Sequence, residues 1–208
     1  FKPIVYAAAL EMGYSPNDLV NDEQITINLP GSNSWTPKNY SNAFSGEVTL
    51  TTAFSQSLNI PAIKISETVG RTNVSELGKK FGLLSDPNNG PAIALGTSEA
   101  TLLDLVGAYA TILNHGTRIE PFGWEKLQLK KNKNEILMAK SEKANMRIVK
   151  QKTAEDLIFM MSEVTKNGTG KRAKFPDWEI AGKTGTSQSA RDAWFIGFSK
   201  YYVAGVWM

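Results

Sequence analysis

Apolar and polar positions follow one rhythm in the middle of this chain and another at its end. Residues 4–10 are apolar without a break, and Pro3 before them with Gly13 after them predicts a buried helix over residues 2–12. Residues 15–47 are rich in Asn, Ser, Pro and Gly, and only residues 24–29 alternate, so a long surface excursion with one strand is expected. Three short helices are predicted over residues 49–57, 61–69 and 73–81, the second opening on Pro61 and closing on Gly70. A Gly/Pro/Ser loop over residues 90–99 leads into Leu102, Leu103, Leu105, Val106, Ala108, Tyr109, Ile112 and Leu113, which recur at helical spacing.

Beyond this point strands dominate. Residues 124–129 and 135–138 flank a polar turn over 130–134 and read as a peripheral hairpin. An amphipathic helix over residues 153–164 follows, with Ala154, Leu157, Ile158 and Met161 on one face and Thr153 as its N-cap. Residues 178–184, 193–198 and 202–207 then form three apolar segments with short polar links, an antiparallel meander. The fold class expected is α/β, an antiparallel sheet flanked by helices on both faces, with a site between the sheet edge and the helical part. A helix pattern begins almost at the first residue and a strand pattern runs to the last. The chain is therefore expected to be cut from a longer one at both ends.

Composition narrows the chemistry. A chain of 208 residues is long enough to bury a substantial core. Lys plus Arg number 23 against 20 Asp plus Glu, a net charge of +3, and the basic residues are dispersed, so a nucleic-acid partner is not expected. The longest apolar run falls well short of the ~20 residues that cross a bilayer. There is no Cys, which excludes thiol catalysis and disulfides. A Ser-His-Asp hydrolase would have to use the single His115, which lies in Asn114-His115-Gly116-Thr117 and reads as a helix-closing turn.

The densest chemical signal is Gly182-Lys183-Thr184-Gly185-Thr186-Ser187 at a strand end. Glycine weakens a strand, so its presence suits a ligand lying along the edge; taken alone, the segment is an ordinary strand end with a solvated lysine. It is not a phosphate loop, because no Gly stands five residues before Gly182 and no helix follows. Ser57-Leu58-Asn59 places a hydroxyl and a carboxamide between two helices, alone no more than a cap. Lys2 sits in the first turn of a helix, where it faces whatever group stands three residues before it.

In this order the three pieces resemble the penicilloyl-serine transferases, whose motifs are Ser-x-x-Lys, Ser-x-Asn and Lys-Thr-Gly. Phe1-Lys2-Pro3-Ile4-Val5-Tyr6, Trp35-Thr36-Pro37-Lys38-Asn39-Tyr40, Ala94-Leu95-Gly96-Thr97-Ser98-Glu99, Gly168-Thr169-Gly170 and Arg191-Asp192-Ala193-Trp194-Phe195 look like the transpeptidase domain of class A penicillin-binding proteins. The resemblance runs essentially end to end, over residues 1–208, as one partial domain. It implies a peptidoglycan D,D-transpeptidase that acts on D-Ala-D-Ala stem peptides through an acyl-serine and binds beta-lactams. It implies Lys2 as general base, Ser57 as proton relay, Asn59 as a holder of a substrate amide, and Lys183 as the cation that lowers the Lys2 pKa. Lys183, Thr184, Gly185 and Thr186 would form the carboxylate and oxyanion site. No metal or cofactor is implied, and the location is the periplasmic face of the bacterial inner membrane, with a cell-wall synthesis complex as possible partner and membrane contact only through a segment before this chain.

One departure stands out: no Lys of the sequence has Ser three positions before it. The nucleophile is thus expected outside the chain, and these 208 residues alone are expected to be inactive. The nearest rival is a serine beta-lactamase, which should show Ser-Asp-Asn where Leu58 stands; Glu163 and Asn167 have the spacing of a deacylation pair, read here as coincidence. A D,D-carboxypeptidase differs only in its acceptor. A non-catalytic domain that binds cell-wall peptide or beta-lactam is the alternative from another class.

Overall fold

The apolar run after Lys2 forms α1 (Lys2–Glu11), in which every residue from Pro3 to Leu10 is buried. A helix apolar on all sides has to be enclosed on all sides, and α1 is: α3 (Asn59–Val69), α4 (Arg71–Lys80) and α6 (Gln151–Lys166) pack around it. The computed structural model describes residues 1–29, 31, 33–83, 90–97, 99–124, 126–128, 136–139, 146–187 and 191–208.

The excursion after α1 is not built on the expected strand. Residues 24–29 retain only a bridge between Ile27 and Trp35, while the pairing lies in β1 (Leu19–Asp22) and β2 (Gly46–Thr49). The reason is the buried Asp22 at the end of β1, whose carboxylate is bound by Asn39 and by the Ser45 N–H, so the chain closes there. Alternation misleads because polar Asp22 occupies the interior position. Next comes α2 (Leu50–Ser55), capped by Thr49 Oγ1, which accepts from the Thr52 N–H at 3.1 Å. Helix α3 starts at Asn59, two residues before Pro61, and α4 at Arg71. Residues 91–95 form a short 3-10 turn, and α5 (Leu102–Leu113) opens on a reciprocal capping box between Thr101 and Asp104.

The hairpin is present as β3 (Lys126–Gln128) and β4 (Ile136–Ala139); its expected turn over 130–134 lies outside the described residues. In α6 the expected cap is corrected. Lys150 is the N-cap residue, and Thr153, two residues inside the helix, donates instead to Glu11 Oε1 at 2.5 Å. The same oxygen accepts from the Lys150 N–H at 2.8 Å, so the last residue of α1 caps α6 from another element.

The last three strands, β5 (Ala181–Thr186), β6 (Ala193–Phe198) and β7 (Val203–Trp207), are the expected antiparallel meander in the order β5-β6-β7, with β5 at one edge. Helices α5 and α6 pack on each other and on this sheet, α6 along β5 and α5 along β6 and β7. Lys183, Ile196 and Gly205 pair across the strands on the side of the helices, and a Cβ on Gly205 would meet Leu102 and Val106 of α5. On the other side the Phe195 ring lies over Gly182 and Gly197, where a Cβ would come within 2.7 and 2.6 Å of it. Ala204 and Val206 of β7 are exposed there. Among the described residues no helix is long and apolar enough to cross a membrane.

Candidate active site

The site is built where α1, the turn between α2 and α3, and the edge strand β5 converge. Lys2, in the first turn of α1, directs its amine at the α2–α3 turn: Nζ donates to the Ser57 carbonyl at 2.6 Å, to Ser57 Oγ at 3.2 Å and to Asn59 Oδ1 at 2.8 Å. Three acceptors match the three protons of an ammonium. Ser57 reaches this position through a left-handed backbone, φ +58°, rare for a residue with a side chain. The turn is held by the Ser57 N–H on the Phe54 carbonyl and the Leu58 N–H on the Ala53 carbonyl, and it swings the Ser57 carbonyl out of α2 toward Lys2. Strain of this kind, on the order of 1 kcal/mol, persists where surrounding contacts over-determine it.

Asn59 is the first residue of α3 and not a cap. Its Nδ2 donates to the Lys38 carbonyl at 2.9 Å, which leaves Oδ1 facing Lys2. The cap of α3 comes from Asn39, whose Oδ1 accepts from the N–H groups of Asn59 at 2.8 Å and Ile60 at 3.3 Å. Neither Asn39 nor its partner Asp22 was a candidate site residue on sequence grounds. Asn39 lies in one of the segments that carry the resemblance, and Asp22 carries no local signal at all.

Lys183 is not a solvated lysine at a strand end. It is 4% exposed, its Nζ lies 5.8 Å from the centre of the Phe54 ring, and it donates to the Thr184 carbonyl at 3.1 Å. Phe54 is itself wedged edge-on against Tyr6 of α1, so the wall under Lys183 is rigid and apolar. Burial lowers the Lys183 pKa to about 8; burial, with the charge of Lys183 nearby, lowers Lys2 to about 7. The Phe1 α-amine lies near both and is lowered to about 5 by burial and by the two lysine charges, and among the described residues no carboxylate is hydrogen-bonded to Lys2 or Lys183.

Thr184, Gly185 and Thr186 continue along the edge, Thr186 exposed. Thr184 Oγ1 meets Thr169 Oγ1 at 2.6 Å, which brings the Gly168-Thr169-Gly170 turn beside the strand. That turn docks on the end of α2, where the Thr169 N–H donates to the Ser55 carbonyl at 3.1 Å. Gly168 is needed because a Cβ there would sit 2.2 Å from the same carbonyl oxygen. Two residues that sequence spacing had paired, Glu163 and Asn167, bind each other at 2.7 Å at the end of α6. His115 closes α5 as a turn residue, with φ +51° and its ring exposed.

Two lysines of lowered pKa, with a hydroxyl and a carboxamide on the α2–α3 turn and a strand edge beside them, form a site in which lysine can serve as a base. The family described as penicillin binding protein transpeptidase domain matches residues 1–206, and the chain belongs to it. It is 33% identical to penicillin-binding protein 1A of Rickettsia conorii and 36% identical to penicillin-binding protein 1A of Aquifex aeolicus, with 98% and 100% of this chain aligned. In each case the chain spans 28% of the relative's length. The crystal structure of penicillin-binding protein 1A from Haemophilus influenzae superposes with a TM-score of 0.88 at 27% identity, over 99% of this chain and 36% of that one. An imipenem acyl-enzyme of penicillin-binding protein A from M. tuberculosis superposes with a TM-score of 0.81 at 25% identity, over 96% of this chain and 50% of that one.

Proposed function

We propose that this chain is the acyl-transfer core of a peptidoglycan D,D-transpeptidase. The observation that carries the reading is the Lys2 amine held on the Ser57–Asn59 turn, with the buried Lys183 of the β5 edge near enough for its charge to help lower Lys2 to about 7. The attacking serine is the one that Ser-x-x-Lys places three residues before Lys2, outside this sequence. Neutral Lys2 takes its hydroxyl proton; the serine oxygen bonds to the carbonyl carbon of the penultimate D-Ala. The bond from that carbon to the nitrogen of the terminal D-Ala then breaks, and a proton passes through Ser57 Oγ, 3.2 Å from Lys2, to the leaving amine. An amine from a neighbouring stem peptide attacks the acyl-serine in turn, forms the cross-link and returns the serine its proton through Lys2.

Asn59 holds a substrate amide. Protonated Lys183 with the hydroxyls of Thr184 and Thr186 takes the terminal carboxylate, and the substrate backbone runs along the β5 edge past Gly185. The Thr186 N–H, with that of the serine, forms the oxyanion hole, where one donor lowers the barrier by about 3 kcal/mol. A beta-lactam enters as a strained mimic of the same amide and acylates the same serine. The 208 residues alone carry the base and the carboxylate site but no acylation, and the whole protein works on the outer face of the bacterial inner membrane.

The test is intact mass spectrometry after incubation with benzylpenicillin, on this chain and on the chain extended by the residues that precede Phe1 in its gene. One adduct on the extended protein only is expected. No adduct on either refutes the acyl-serine reading in favour of a non-catalytic binding domain, and an adduct on the 208 residues refutes the placement of the nucleophile.

A further inference from the structure

We propose that Asn39, locked by the buried carboxylate of Asp22, is the positioning residue that aims Asn59 at Lys2. The consequence for catalysis rests on the acyl-transfer reading; the geometry does not.

Asn39 uses its whole side chain. Its Oδ1 accepts from the Asn59 and Ile60 N–H groups, and its Nδ2 donates to both Asp22 oxygens at 2.9 Å and to the Ala43 carbonyl at 2.9 Å. Asn39 is 4% exposed and Asp22 fully buried, so neither group has solvent as a fallback partner. Asp22 Oδ2 also accepts from the Ser45 N–H at 2.8 Å, which ties β1 to the approach to β2. Burial, and then the Asp22 charge, push the phenol of Tyr6, one turn beyond Lys2 in α1, above its ordinary range.

The carboxylate therefore decides which way the Asn39 amide points. With Nδ2 drawn to Asp22, only Oδ1 is left for the α3 N-terminus, and an oxygen there is what two unpaired N–H groups require. One residue earlier, the Lys38 carbonyl takes Nδ2 of Asn59 and leaves its Oδ1 for Lys2. Two successive residues of one loop thus fix the backbone and the side-chain amide of Asn59. A buried ion held by an amide instead of a cation has no role in apolar packing. It makes sense as an orienting device, because a freely flipping Asn39 would present Nδ2 to two donors half of the time.

Three variants test this: Asn39→Ala, Asn39→Asp and the exchange Asp22→Asn with Asn39→Asp. Lysine 13Cε titration and the 15N signals of the Asn59 side-chain amide are followed in the 208-residue chain, with thermal unfolding alongside. In Asn39→Ala the Lys2 midpoint is expected to move below about 7, because the ammonium loses a fixed acceptor while its burial is unchanged. The Asn59 amide signals are expected to shift and sharpen as the group becomes mobile. In Asn39→Asp two carboxylates face each other and the fold weakens; the exchange pair, which restores one donor between them, is expected to regain most of the lost stability. In the extended protein, Asn39→Ala is expected to lower the acylation rate constant by 10- to 100-fold, on the order seen for other positioning contacts, with little change in initial binding.

A loss of stability with the Lys2 midpoint and the Asn59 signals unmoved overturns the proposal, leaving Asn39 a structural cap. So does an exchange pair no more stable than Asn39→Asp alone, the deciding result where Asn39→Ala does not fold. An extended wild-type protein that is not acylated overturns the functional reading and leaves the titration results standing.

Discussion

Lys2, half-buried, and Lys183, buried, lie near enough for the charge of Lys183 to lower the Lys2 pKa, and their titration is the sharpest consequence of the structure. A lysine with the ordinary value of 10.5 has about one side chain in 3,000 neutral at pH 7; at about 7 it has about half. The site therefore gains ~1,500-fold in available base, the scale that general base catalysis near neutral pH demands. Burial is the larger cause and the neighbouring Lys183 charge the second, so Lys183→Met separates them. Selective 13Cε labelling of lysine, followed by NMR from about pH 5 to about pH 11, reads both groups directly. The expected midpoints are about 7 for Lys2 and about 8 for Lys183, and in Lys183→Met the Lys2 midpoint rises but stays below 10.5. The sign of the linked stability follows. Below about pH 7 folded and unfolded chains both hold the Lys2 proton; between 7 and 10.5 only the unfolded chain does, so stability climbs with pH through that window. The displacement bounds the rise at ~5 kcal/mol, and the partial exposure of Lys2 makes the measured value smaller. A Lys2 midpoint near 10.5, or one that ignores Lys183→Met, refutes the argument that burial and like charge prepare this base.

Other consequences are structural or kinetic. Glu11→Ala removes the oxygen that takes both the Lys150 N–H and the Thr153 hydroxyl at the start of α6, and thermal or urea unfolding should show a loss of about 1–2 kcal/mol. Gly168→Ala drives a Cβ to 2.2 Å from the Ser55 carbonyl, so the α2 end and the Thr169 turn must part, at a cost of about 3 kcal/mol in a denaturant titration. Gly116→Ala combines a left-handed backbone, φ +83°, with a Cβ 2.5 Å from the Val149 carbonyl oxygen, and should cost at least about 3 kcal/mol. In the extended protein, acylation by a fluorescent penicillin should rise with pH through about 7 as Lys2 loses its proton and fall through about 8 as Lys183 loses its charge. A profile flat across that interval would exclude these two lysines as the titrating pair.

How much of this was legible in the sequence depends on range. The α1 helix, the three helices after residue 49, α5, α6 and the terminal meander follow from local apolar rhythm and from turn residues such as Gly13, Gly70 and Gly116. Each is a decision taken within a few neighbours. The residue types of the site, Lys2, Ser57, Asn59 and Lys183 to Thr186, were visible as short motifs. Their ordinary local meanings, a cap and a solvated strand end, were overruled by the order in which they occur together with the five longer segments that carry the same resemblance.

Tertiary structure decided the rest, because it concerns groups far apart in the chain. That Lys183 is buried against Phe54, and that its charge reaches Lys2 from across the sequence, depends on how α6 packs on β5 and on α1 and α2. The strand expected over residues 24–29 moved to Leu19–Asp22 because a carboxylate found its partners in Asn39 and Ser45, which no periodicity can foretell. The caps were transferred in the same way: α6 takes its cap from Glu11 and α3 from Asn39, both distant in the chain. Local propensity proposes where helices begin, and burial then requires every orphaned N–H to find an acceptor; only the packed fold determines which one is within reach.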